Sequence, residues 1–115
     1  MTETLDKLKA LGCNVEEGLK RCLDKETFYL RLLKTAMTDD KVYALKQALV
    51  DNDLGEAFSI AHSLKGVFAN LSITPLFDSV SVLVDCLRKR ESADYIGMID
   101  NIIRSFESIK DVILS

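Results

Sequence analysis

The only histidine of the chain stands in the run AHSLKG, residues 61–66, with Lys65 three places after His62 and Gly66 four places after it. On a helix, positions three and four apart are surface neighbours, so an imidazole, an ammonium and a stretch of bare backbone would share one patch. Imidazole has a reference pKa near 6.5 and is largely neutral and nucleophilic near pH 7, which suits it to accept a phosphoryl group. A cation beside it stabilises charge on the equatorial oxygens as that group passes in line. A lone histidine on a helix is ordinarily an accident of surface composition, so the surroundings of His62 must decide.

Those surroundings depend on the helix expected over residues 53–72. Asp53 offers an N-cap with Glu56 three places on, the pattern of a capping box. At about 100° per residue, Leu54, Ala57, Ala61, Leu64, Phe68 and Leu71 fall on one broad stripe, the expected core face. His62 falls about 140° from the centre of that stripe and points at solvent or at a partner. Its neighbours on the outward face are Gly55, Ser59, Gly66 and Ala69. All four are small, where a solvated face normally collects Glu, Lys, Gln and Arg. An internal helical glycine costs about 1 kcal/mol relative to alanine. Gly55 lies early in the helix, so Gly66 is the sharper anomaly. A stripe of small residues around one imidazole clears a path for another surface, which makes Ser59, Gly66 and Ala69 the expected partner-facing positions.

Other helices must present this one. Leu5, Leu8 and Leu11 space a short first helix ending at Gly12, a natural left-handed C-cap. Asn14 with Glu17 reads as a capping box opening a short helix over 15–22. A helix over 26–37 is expected to turn Phe28, Leu32 and Leu33 inward. Val42, Leu45 and Leu49 mark a helix over 39–51. Thr74 before Pro75 marks a restart over 74–90, with proline at the first helical position and Leu76, Val80, Leu83 and Leu87 on one face. The last helix, 93–113, carries Ile96, Ile99, Ile103, Phe106, Ile109 and Ile113. No stretch alternates apolar and polar residues long enough to argue a strand. The expected fold is all-α: an up-down antiparallel four-helix bundle over 39–115, with short N-terminal helices of 1–38 packed across it as part of one domain, 1–115.

Composition limits the rest. The 115 residues suffice for one domain with a real core. Fifteen Lys and Arg against eighteen Asp and Glu give a net charge of −3, without the long basic face that nucleic acid demands. The basic run Arg88-Lys89-Arg90 closes a helix, where cations suit the dipole. Cys13, Cys22 and Cys86 form neither a disulfide framework nor a zinc pattern and read as small buried hydrophobes of a reducing cytoplasm. No apolar run approaches a membrane span and no secretion signal opens the chain. There is no GxxxxGK[ST] loop for a nucleotide, and one outward histidine cannot build a di-metal bundle centre. Cys86 lies on the next helix with Val82, Leu83 and Arg88 around it, poorly placed for acyl transfer with His62.

The run AHSLKGVFANL, residues 61–71, resembles the signature of histidine-containing phosphotransfer (HPt) domains, in which alanine precedes the phosphorylated histidine and a Lys-Gly pair follows at the third and fourth places. GLKRCLDKETFYLRLL, residues 18–33, is similar to the segment such domains place before their bundle. The resemblance implies a four-helix bundle with His62 as phosphoacceptor, Lys65 as electrostatic helper and Gly66 as the gap that admits the partner. It implies that a response-regulator receiver domain holding an aspartyl phosphate delivers the group, that another receiver takes it, and that a hybrid histidine kinase lies upstream. The receiver brings Mg²⁺, so no cofactor or metal site is expected in this chain, nor autonomous kinase activity. A cytoplasmic monomer is expected; the alternative is a module of the same fold that docks receivers without carrying phosphate. Two positions depart from the family pattern. Ser72 stands where many members have glycine, and Val84 where many place an amide or acid to bond the ring, leaving Ser81, Asp85 and Arg88 as candidates to orient His62.

Overall fold

The computed structural model describes residues 2–115; Met1, the first residue of the expected domain, lies outside the described residues. Seven helices follow one another among them: α1 Glu3–Ala10, α2 Val15–Arg21, α3 Glu26–Thr38, α4 Lys41–Val50, α5 Leu54–Asn70, α6 Thr74–Lys89 and α7 Tyr95–Leu114. There is no strand among the described residues. Helices α4 to α7 form the bundle. Each packs on the next and α7 closes on α4, because connections of three to five residues force neighbours to run antiparallel. The molecule measures 42 × 23 × 20 Å, two helices across.

The helix starts are held by side chains. Thr2 Oγ1, Asn14 Oδ1, Asp53 Oδ1 and Asp94 Oδ1 each accept a backbone N–H three residues on, at 3.0–3.2 Å. Neither expected capping box closes completely. The Asn14 N–H donates to the Ser72 carbonyl at 3.0 Å, and the Asp53 N–H donates to Ala48 O at 2.9 Å. Glu17 turns its carboxylate to the Ser72 hydroxyl at 3.0 Å and to Asn14 Nδ2 at 3.4 Å. The start of α6 is one residue earlier than proline chemistry suggested: Ile73 is its N-cap and Pro75 the second helical residue.

The ends of α1, α2, α4, α5 and α6 share one device, while α3 ends at Asp39 in extended backbone. Gly12, Leu23, Asn52, Ser72 and Arg90 all adopt left-handed backbone with φ from 54 to 100°. Around each, two N–H groups reach back to the last turn; after α5, Ser72 N–H donates to Ala69 O and Ile73 N–H to Phe68 O, both near 3.0 Å. Only Gly12 is free of the Cβ penalty there. Ser72 makes the turn without glycine, and its side chain compensates by bonding Glu17.

The core gathers the expected positions of α4, α5 and α6 except Leu54, which is half-buried at the first turn of α5, and three further revisions lie elsewhere. In α3 the buried residues are Tyr29, Leu33 and Met37; Phe28 is 39% exposed with the Arg31 guanidinium over its ring, and Leu32 is half-buried. In α7 Ile102 is buried where Ile96 and Ile103 were expected; Ile96 is 38% exposed and Ile103 half-buried. Leu11 caps α1 from the surface. Cys13 and Cys22 are buried thiols, while Cys86 is half-buried.

Tyr29 fastens the N-terminal helices to the bundle. Its hydroxyl donates to the carbonyl of Leu71, the C-cap of α5, across 2.7 Å in the interior. The ring lies directly on Gly18 of α2, where any side chain would strike it. Burial, reinforced by Cys13, Cys22 and Glu17, pushes the phenol above the ordinary tyrosine range. A second tyrosine, Tyr43 of α4, donates to Glu107 of α7 at 2.6 Å, and that bond with partial burial pushes its pKa up to about 12.

Tyr29→Phe leaves a buried carbonyl without its donor and should lower stability by about 1–3 kcal/mol in urea unfolding at pH 7. Because the folded phenol holds its proton above the unfolded value near 10, that contribution is complete below pH 10 and is lost as pH rises further. The variant's stability should therefore fall less steeply than wild type above pH 10. Parallel curves at all pH values would contradict the role of this hydroxyl.

Candidate functional site on the outward face of helix α5

Helix α5 is packed between α4 and α6. Ala57, Ala61, Leu64 and Phe68 are buried along one stripe, with Leu71 buried at its C-cap and Leu54 half-buried at its first turn. The two alanines leave little bulk between α5 and its neighbours. His62 sits at the middle of α5, on the opposite side, and is exposed; Gly55, Ser59 and Gly66 are exposed with it. Ala69 is half-buried and lines a small hollow with Arg21 of α2 and Phe77 of α6.

A Cβ built on Gly66 meets no other atom within 4 Å. The glycine is thus not demanded by packing inside the molecule. The same space stands open to anything approaching from outside.

The imidazole of His62 accepts and donates no hydrogen bond among the described residues. It is met by an aromatic ring instead: Phe58, one turn earlier on α5, lies 5.9 Å away between centroids and 22° from parallel. Phe58 is half-buried and receives the Arg88 guanidinium of α6 at 5.7 Å from its ring centroid. Arg88 Nη1 in turn meets Asp85 Oδ1 at 3.2 Å. None of the three candidates to orient the ring bonds it directly. Ser81 donates to the Phe77 carbonyl of its own helix at 2.7 Å, Asp85 pairs with Arg88, and Arg88 reaches Phe58. Val84 is fully buried in the core.

Lys65 is half-buried, and its ammonium lies 6.0 Å from the centroid of the Phe77 ring on α6. It forms no ion pair among the described residues, so its charge is not neutralised. Phe58 and Phe77, both missed as site residues in the sequence, thus flank His62 and Lys65. Each lies next to a core position, Ala57 or Leu76, and residue type and helical spacing alone do not point from there to the imidazole or the ammonium. Beside Phe58, Leu54, Gly55, Leu87, Arg88 and Arg90 complete an open hollow of ≈ 380 Å³. No group of three or more His, Cys, Asp and Glu among the described residues could hold a metal ion.

An exposed single imidazole at the centre of a bundle helix, a free ammonium one turn on and a clear backbone at the next position agree with a family comparison. The family model for the Hpt domain matches residues 29–112. The chain belongs to the Hpt family. The match runs from Tyr29 to within two residues of the end of α7, so it takes in nearly the whole bundle and α1 and α2 of this Hpt domain lie ahead of it. Hpt domains serve histidine phosphotransfer in phosphorelays, as phosphocarriers and not as kinases, and they interact with receiver domains. No curated protein and no solved structure matches the chain. No helix among the described residues is long and apolar enough to cross a membrane.

Since Gly66 serves no contact within the fold, Gly66→Ala should raise stability by about 0.5–1 kcal/mol through helix propensity alone. Urea unfolding measures it. A loss of stability would mean that the bare backbone is needed by the fold itself.

Proposed function

We propose that His62 is the phosphoacceptor of this Hpt domain, taking the group from the aspartyl phosphate of one response-regulator receiver and passing it to another, with a hybrid histidine kinase upstream. The observation that carries the reading is Gly66: an internal helical glycine, one turn from the only imidazole, with open space where its side chain would stand. Gly66 and Ser59 let the receiver bring its phosphoryl group close to the ring, with Ala69 at the far edge of the same face.

In the forward step the unprotonated ring nitrogen attacks phosphorus, the P–O bond to the aspartate breaks, and the carboxylate leaves with the electron pair. The other ring nitrogen keeps its N–H and the positive charge, or releases the proton to the water around an exposed ring. The charge that develops on the transferring oxygens is met on the receiver's side by the Mg²⁺ it brings, and on this side by Lys65, which swings from Phe77 on its flexible stem. The reverse sequence returns the group to a second aspartate. A reducing cytoplasm as the site of action rests on three free thiols, Cys13, Cys22 and Cys86.

A receiver domain loaded with acetyl phosphate and Mg²⁺ should label the protein with an acid-labile, alkali-stable phosphoramidate, and His62→Gln should abolish it. Full labelling of His62→Gln would overturn the assignment. A wild-type protein that binds the receiver but takes no label would be the phosphate-independent docking module instead. Gly66→Gln should slow transfer at least tenfold while leaving melting unchanged or raised, since the longer side chain obstructs the partner and not the fold. Lys65→Ala should slow transfer on the order of tenfold, equivalent to about 1.4 kcal/mol of transition-state stabilisation.

A further inference from the structure

We propose that Phe58 is a positioning residue for His62: it holds the imidazole by its face, in place of a hydrogen bond to either ring nitrogen, and is itself braced from α6 by Arg88. This rests on His62 being the acceptor. An exposed histidine on a helix has staggered side-chain rotamers open to it, and nothing polar selects one here. The stack with Phe58 at 5.9 Å and 22° is the one aromatic interaction of the ring among the described residues, and no hydrogen bond or ion pair accompanies it. Phe58 is not free to follow the imidazole about, because it packs against the core and the Arg88 guanidinium sits at 5.7 Å from its centroid. Asp85, at 3.2 Å from Arg88, fixes the guanidinium in turn. A chain of contacts thus runs from Asp85 through Arg88 and Phe58 to the reacting ring, and it crosses from α6 to α5.

A hydrogen bond to the ring would engage one nitrogen and select a tautomer. A stack leaves both nitrogens open to solvent and partner while still limiting the directions in which the lone pair points. Transfer in line needs the attacking lone pair held in a near-attack geometry, so a loosened ring lowers the rate of the step more than it weakens docking.

The test compares Phe58→Leu and Phe58→Tyr with wild type, using the intact chain, a receiver loaded with acetyl phosphate and Mg²⁺, and proton NMR of the imidazole. The spectrum is simple, because His62 is the only histidine. In Phe58→Leu the imidazole protons should move toward the positions of a free ring as the ring-current effect is lost. The transfer rate at saturating receiver should fall about 3- to 10-fold with receiver affinity unchanged, and Phe58→Tyr should restore both. Arg88→Ala, which leaves the core intact, should produce a smaller change of the same kind. Imidazole resonances that stay in place in Phe58→Leu would overturn the stack. A fall in affinity that accounts for the whole loss of rate would make Phe58 a docking contact and overturn its positioning role. The NMR arm reads the stack whether or not phosphate reaches His62, so failure of the acceptor assignment appears separately, as an unlabelled wild-type protein.

Discussion

The constraint on which the rest depends is the burial of one stripe of α5. Ala57, Ala61, Leu64 and Phe68 lie in the core between α4 and α6, and that fixes the rotation of the helix about its axis. At about 100° per residue, His62 can then only face outward. A slip of one residue would expose Phe68, whose burial stabilises by about 1.5–3 kcal/mol, and drive a polar ring inside without a partner. The exposure of the imidazole is therefore an outcome of packing, not of anything local to it.

The ends of α5 are secured differently. At the C-terminal end the N-terminal helices grip the chain: Tyr29 bonds the Leu71 carbonyl, Asn14 N–H bonds the Ser72 carbonyl, and the Ser72 hydroxyl bonds Glu17. All three contacts fall on the turn that a glycine would otherwise make. This relates α2, which precedes the family match, to the site: with Tyr29 of α3 it holds the exit of the helix that carries His62. At the N-terminal end α5 has the Asp53 side-chain cap and the backbone bond from Asp53 N–H to the Ala48 carbonyl, and the hollow beside Phe58 lies open. His62 stands between a braced end and an open one.

Much of this was legible in the chain. The order of helices, the core stripes of α4, α5 and α6 and the outward small-residue face of α5 all follow from period and cap chemistry, because amphipathic helices must bury one side. Where apolar residues crowd, period alone fails. In α3 the positions 28, 29, 30, 32, 33, 36 and 37 are all apolar and admit two overlapping stripes; the need of the Tyr29 hydroxyl for a buried acceptor settles which one turns in. In α7 Ile102 and Ile103 are adjacent candidates for one place, and their side chains are the same size. The capping boxes were half right, because a backbone N–H that the box would satisfy had already found a tertiary or helix-end carbonyl. Side-chain directions were the least legible of all: that Lys65 leans on Phe77, and that Phe58 stacks on His62, depends on rotamers chosen by α6.

Behind the proposed function stands the placement of one imidazole, by the buried stripe of α5, on a face that a receiver can approach. Its most direct measurement is heteronuclear NMR of the ¹⁵N-labelled protein after incubation with a phosphoryl-loaded receiver, which reads the single imidazole and the amides of α5 together. A ¹⁵N–³¹P coupling on the ring of His62 is expected, with amide shifts confined to the outward face around Ser59, His62 and Gly66. An imidazole without phosphorus coupling, while the protein acquires the phosphoryl group at another residue, would contradict it.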